Sequence, residues 1–220
     1  SCVNVDDVAY ALSRSWSSSI ADDKFSKHCF DTYVPDNNFE AFLEANGMGN
    51  GIANDDYVTT ANISLVSSLD VSNQSITDLT GIEAFTSLQT LTANNNSIST
   101  VDLSSNTALT SLNLEGNSSI STIDVSLLTS LEVLNLGSTS LTSIDISNNI
   151  ALTGLTISST SITTLDLTAH TALTQFNAQN AALTSLTIKN GANTNITNFD
   201  TTGNTNLTCI TVDDLAYATA

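Results

Sequence analysis

Apolar residues recur along this chain with a short period nested inside a long one. From Leu88, the stretch "LQTLTANNNSISTVDLSSNTA" places Leu88, Leu91 and Ala93 in LxxLxL spacing, then Ile98, Val101 and Leu103 in the same spacing. The block returns as "LTSLNLEGNSSISTIDVSLLTS" from Leu109, "LEVLNLGSTSLTSIDISNNIA" from Leu131, "LTGLTISSTSITTLDLTAHTA" from Leu152 and "LTQFNAQNAALTSLTIKNGAN" from Leu173. Its leading apolar residue falls at Val66, Leu88, Leu109, Leu131, Leu152, Leu173 and Ile196, a step of 21 to 23. No single block can bury its apolar side, so the blocks must stack on one shared core. Alternation within each half predicts a strand-like segment, apolar inward and polar outward. The expected architecture is a right-handed flattened coil of about seven turns, mainly β, with strand-like segments on both sides and short helical caps.

Open ends of such a coil would expose core and strand edges, which calls for caps. Upstream, "VPDNNFEAFLEANG" predicts a short helix with Asp36 near its N-cap, Phe39, Phe42 and Leu43 on one face, and Gly47 as the stop.

The units read LxxLxLxxNxL, with Asn96 and Asn117 in the asparagine column. That pattern resembles the leucine-rich repeat over roughly residues 63–212. Thr139, Thr160 and Ala181 depart from it, so their turns must be satisfied differently, with the threonine hydroxyls as the available groups. "TDLTGIEAFTSL" resembles the first turn of internalin-like repeats, which implies a short helical crossing around Ile82 and Phe85. "LTSIDISNNIAL" and the flanking phrases resemble secreted, cell-surface leucine-rich-repeat proteins of the Bacteroidetes type. The resemblance implies a large exported protein, and it is nearly silent on the ligand.

One phrase occurs twice. "CVNVDDVAYA" at Cys2 to Ala11 matches "CITVDDLAYA" at Cys209 to Ala218 in seven of ten positions. In the repeat register Leu207, Ile210 and Val212 are the inward positions of a second-half strand, so Val3 and Val5 occupy the same place in an earlier block. The expected organisation follows. Residues 1–30 are a disulfide-closed C-terminal cap of a preceding block, and 31–62 an N-terminal helical cap. Residues 63–212 are the repeats, and 213–220 the start of a second, truncated C-terminal cap. A chain end with a free thiol is the alternative. The chain is expected to be continuous with further domains of the same polypeptide.

Composition narrows the partners. Four Lys and Arg stand against 22 Asp and Glu, for a net charge of −18. Such a surface repels nucleic-acid backbones and anionic lipid heads. No apolar run is long enough to span a bilayer, so membrane insertion is not expected. The three cysteines, Cys2, Cys29 and Cys209, lack CxxC spacing. Cys2 and Cys29 bracket one compact segment, which favours a disulfide between them and an oxidising, secreted or cell-surface setting.

Two outward columns could carry chemistry. Asp102, Asp124, Asp145 and Asp166 fall one per turn in the second half. Carboxylates at strand spacing, about 5 Å, repel one another and need relief. Calcium bridging adjacent turns would supply it; so would local hydrogen bonds from Ser104, Ser126, Ser147 and Thr168. The Asn-rich loop from Ala45 to Val58 lacks EF-hand spacing and reads as a capping loop. The first-half face presents Thr92, Asn113, Glu115, Asn135, Thr156 and Asn177, a candidate ligand face of small polar groups. It offers neither aromatic platforms nor Arg anchors, which suits weak multivalent contact with an extracellular protein or polysaccharide. His170 shares a turn column with Asn106 and Asn149 and reads as structural, and no nucleophile–base motif occurs, so catalysis is not expected. The reading is a non-catalytic recognition or adhesion module. Its rivals are a rigid spacer and an accessory domain of an exported enzyme.

Overall fold

The computed structural model describes residues 28–213, together with the backbone of Val3–Asn4 and Phe25–Ser26. Those two pairs are β1 (Val3–Asn4) and β2 (Phe25–Ser26), parallel, with Val3 opposite Phe25 and Asn4 opposite Ser26. The rest of the cap expected over 1–30, Cys2 included, lies outside the described residues, as do 214–220.

The repeats are preceded by a small mixed cap. Strand β3 (Asp31–Tyr33) pairs antiparallel with β4 (Tyr57–Thr59), an element that the apolar pattern did not announce. Between them runs helix α1 (Asn37–Ala45), and α2 (Thr60–Ile63) follows. Asp36 is the N-cap of α1, as its position predicts: Oδ1 accepts from the Asn38 and Phe39 amides, both at 3.0 Å. Its Oδ2 accepts from the Thr77 amide and hydroxyl, each at 2.8 Å, and from the Asp78 amide at 3.2 Å. One carboxylate therefore ties the cap helix to the first repeat. Burial raises its pKa, but these hydrogen bonds outweigh burial and hold it below the usual carboxylate range. Gly81 sits at the same junction with φ 104°, and a Cβ there would lie 2.9 Å from the Tyr33 carbonyl oxygen. It leads into the 3₁₀ turn Ile82–Ala84, where the sequence resemblance places a helical crossing.

Seven short strands then form one parallel sheet. These are β5 (Ser68–Asp70), β6 (Thr90–Thr92), β7 (Ser111–Asn113), β8 (Val133–Asn135) and β9 (Gly154–Thr156), then β11 (Gln175–Asn177) and β13 (Asn198–Asp200). On the opposite side β10 (Thr164–Asp166), β12 (Ser185–Thr187) and β14 (Cys209–Thr211) form a second parallel sheet. The molecule is a mainly β solenoid. Strand pairing on the second side is confined to these last turns. Earlier, Val101, Ile123 and Ile144 occupy the matching column without a ladder and are only partly buried, whereas Leu165 and Leu186 are buried. There side chains bridge the turns instead. Asn149 Nδ2 donates to the Val125 and Leu128 carbonyls, and Asn106 Nδ2 to those of Ile82 and Phe85.

The asparagine column does the same at the other corner. Asn117 Nδ2 donates to the Ala93 and Leu114 carbonyls while its Oδ1 accepts from the Ile98 amide. Thr139 and Thr160 donate their hydroxyls to Leu136 and Ile157 at 2.8 Å, as expected. A threonine cannot reach the preceding turn, and there backbone links serve: Ser140 N to Ile120 O and Ser161 N to Leu141 O. Just before this column every turn carries a left-handed residue, Asn95, Gly116, Ser138, Ser159 and Asn180 among them.

Candidate functional site

The outward residues of the larger sheet come into strict register. Asp70 lies opposite Thr92, Thr92 opposite Asn113, Asn113 opposite Asn135, Asn135 opposite Thr156, Thr156 opposite Asn177, and Asn177 opposite Asp200. Five of the six residues nominated from the sequence thus form one row across the face. The sixth, Glu115, lies just beyond the strand and joins the row by accepting from Asn135 Nδ2 at 2.9 Å. The row ends in two carboxylates, Asp70 and Asp200, that sequence reasoning missed. Their signal was present: Asp70 in Val66–Asp70 (VxxLD) and Asp200 in Ile196–Asp200 (IxxFD) occupy the register that Thr92 holds in Leu88–Thr92 (LxxLT). The neighbouring row runs through Ser68, Thr90, Ser111, Val133, Gly154, Gln175 and Asn198. Val133 is 44% exposed, an apolar position on an otherwise polar face, and it lies beside Gly154.

These side chains also shape the turns beneath them. Asn113, Asn135 and Asn177 each accept through Oδ1 from the amide two residues on, and Asp70 and Asp200 accept likewise. An Asx turn therefore closes each of these strands. What remains for a partner is the other half of each side chain: amide Nδ2 groups at Asn113 and Asn177, carboxylate oxygens at the ends, and hydroxyls at Thr92 and Thr156.

The acidic column on the opposite side uses the same device. Asp102, Asp124, Asp145 and Asp166 each accept at 2.9 Å from the amide of Ser104, Ser126, Ser147 and Thr168. Hydrogen bonds from the backbone and hydroxyl of those residues hold all four carboxyls below the usual carboxylate range. Asp124 feels its neighbours Asp145 and Asp102 as an opposing push, and the local bonds outweigh it. Each carboxylate is thus oriented by its own turn, and the four stand as a row. Among the described residues no three His, Cys, Asp or Glu side chains converge into a set that could hold a metal ion. The loop after α1 is organised from within: Glu44 accepts from the Asn50 and Gly51 amides, and Asp55 from Asn50 Nδ2.

His170 is 1% exposed, its Nε2 lies 3.2 Å from the Ile146 carbonyl, and burial pushes its pKa down. It fills the column of Asn106 and Asn149 as the sequence register places it. His28 stacks on Tyr57 at 3.8 Å and meets Asp31 at 3.2 Å. The Cys2–Cys29 pairing lies outside the described residues through Cys2; Cys209 is free and exposed. No helix among the described residues is long and apolar enough to cross a membrane.

Residues 62–160 match a family model described as the leucine-rich-repeat domain of the endo-β-N-acetylglucosaminidase EndoS. No curated protein matches the chain. Among solved structures, a functional domain of InlJ from Listeria monocytogenes is 23% identical with a TM-score of 0.33. That alignment covers 83% of this chain and 61% of the InlJ domain, so the chain spans less than two thirds of it. An internalin C2 from Listeria monocytogenes is 21% identical over 82% of this chain and 97% of its own, with a TM-score of 0.48. A chain of the LRIM1/APL1C complex is 21% identical over 58% of this chain and 26% of its own, with a TM-score of 0.50. Residues 62–160 are thus similar to a leucine-rich-repeat domain, and the fold is a leucine-rich-repeat solenoid.

Proposed function

We propose that this chain is a non-catalytic recognition or adhesion module of an exported surface protein, binding an extracellular protein or glycan through its larger sheet. The observation that supports this reading is the row from Asp70 to Asp200: one outward polar side chain per strand, held in register on a parallel ladder, with hydrogen-bonding groups left over after the turns are satisfied. Such a face binds weakly per turn and gains by repetition, since small polar groups lack the anchoring area of Trp, Tyr or Arg. A repeated ligand, a polysaccharide or a densely displayed glycoprotein, suits it best.

The test is capture of polysaccharides and surface glycoproteins by the immobilised chain, with calcium and again with a chelator. Thr92→Lys combined with Thr156→Lys, neither of which closes a turn through its side chain, should abolish capture and leave the melt unchanged. Capture that survives the double substitution would refute the face. No capture in any arm would leave a rigid spacer. Loss of capture with the chelator, and with Asp124→Ala, would move the site to the acidic column. A second reading, an accessory domain of an exported enzyme, is favoured by the matched family, which takes its name from an endo-β-N-acetylglucosaminidase. Selective capture of N-glycosylated proteins, lost on removal of their glycans, would support it.

A further inference from the structure

Among the described residues, nothing closes over the last turn of the solenoid as the cap closes over the first. Leu155, Phe176 and Phe199 occupy one core column on successive strands; the first two are 1% and 0% exposed, and Phe199 is 39% exposed. Leu207, Ile210 and Val212 pack on the core but stay only partly buried. Strands β13 and β14 are the outer strands of their sheets, each with one unpaired edge among the described residues. Cys209, at the start of β14, is exposed and free.

The chain itself shows what covers such an edge. Ile210 and Thr211 of β14 correspond to Val3 and Asn4 of β1 within the repeated ten-residue phrase. Strand β1 has a partner: Phe25 lies opposite Val3 and Ser26 opposite Asn4, in parallel. Three residues after Ser26 comes Cys29, and Cys2 precedes Val3 as Cys209 precedes Ile210. We infer that the end formed by Phe199, Leu207 and β14 is a docking surface for a cap segment of the Phe25–Cys29 kind. Its strand adds in parallel to β14, an apolar residue opposite Ile210 and a small polar one opposite Thr211, and its cysteine takes Cys209. The apolar part of the cap covers Phe199 and Leu207. Strand addition satisfies the exposed amides of the edge, and covering the end removes apolar area from water. This surface is distinct from the polar face and does not depend on the function proposed for it.

The experiment extends the intact chain. Because Ala218 corresponds to Ala11, a second copy of residues 12–30 is joined after Ala218, and the product is refolded in a buffer of reduced and oxidised glutathione. Glutathione disulfide is then the oxidant: two thiols form one disulfide as it is reduced to two glutathione thiols. Docking predicts that Cys209 resists alkylation at least about tenfold better than in the parent chain. Peptide mapping should join it to the added copy of Cys29, and the Ile210 and Val212 amides, which face away from β12, should exchange more slowly. A version with Cys29→Ser in the added copy keeps the strand without the disulfide. It should still slow those amides, and Phe25→Pro in the added copy should abolish the slowing. Unchanged alkylation and unchanged exchange in a folded, monomeric product would overturn the inference. Protection that depends on protein concentration and accompanies dimers in the parent chain would overturn it in favour of a second copy as the occupant.

Discussion

The two ends of this solenoid are built from the same repeat and finished differently. At the first turn Leu69 is 2% exposed, because Phe39, Leu43 and Ile63 of the cap close over the core. At the last, Phe199 stands in the corresponding column 39% exposed. The repeat pattern is blind to this difference, since it supplies the same inward residue at every turn. What covers an end comes from outside the period, and the first cap does so through one polar hub, Asp36, and one apolar helix face.

The sharpest test compares phenylalanines. Phe39→Ala empties a fully buried site and should cost about 4 kcal/mol in urea unfolding. Phe199→Ala removes a ring already half in water and should cost less than about 1 kcal/mol. Equal losses would mean that the exposed end is as well packed as the closed one, and the contrast would collapse.

Asp36 comes next. Asp36→Ala removes the cap of α1 and strands the Thr77 and Asp78 amides, for a loss of about 3 kcal/mol. Unfolding should begin at the cap, because each unit of a solenoid leans only on its neighbours; slowed exchange of the α1 amides should be the first protection lost. The pH dependence has a definite sign. The folded carboxyl titrates below its ordinary value, so its contribution is complete above the unfolded pKa, near 4, and fades as pH falls through the lower folded value. Asp36→Asn should therefore differ from the parent by roughly 1–2 kcal/mol at pH 7 and by almost nothing in strong acid. A gap that persists at low pH would show that the charge is not what ties cap to repeat.

Much of this was legible from residue order. The 3₁₀ turn at Ile82 and the hydroxyl substitutes at Thr139 and Thr160 were implied by the resemblance to leucine-rich repeats, whereas the inward columns and the helix begun by Asp36 and stopped at Gly47 follow from local spacing. The nominated face was legible for the same reason, since alternation alone puts Thr92, Asn113, Asn135, Thr156 and Asn177 on one side. Three things were not. The pairing of β3 with β4 joins two three-residue segments, too short for alternation to register. The missing ladder at Val101, Ile123 and Ile144 was hidden because the same apolar spacing suits an extended segment with or without strand bonds. The double role of Asn113, Asn135 and Asn177, closing turns as well as facing outward, depends on a turn amide capturing each side-chain oxygen, which outward alternation does not announce.

The smallest effect probes the middle of the solenoid, between the two ends. Ser138 is held at φ 55°, in a column where Gly116 and Asn95 occupy the same left-handed conformation. A side chain with a Cβ is strained there and glycine is not, so Ser138→Gly should stabilise by about 0.5–1 kcal/mol, net of the added freedom of the unfolded chain. The gain should appear as slower exchange at the amides of Leu136 and Ser138, which bond to Thr156 and Ser158 of the next turn. Nearest-neighbour coupling then decides how far it travels. If the α1 amides gain protection with the middle while the Thr211 amide does not, the closed end unfolds together with the repeats and the last turn frays alone. If all three regions gain equally, the solenoid opens as a single unit, and the exposed Phe199 marks a surface rather than a weak end.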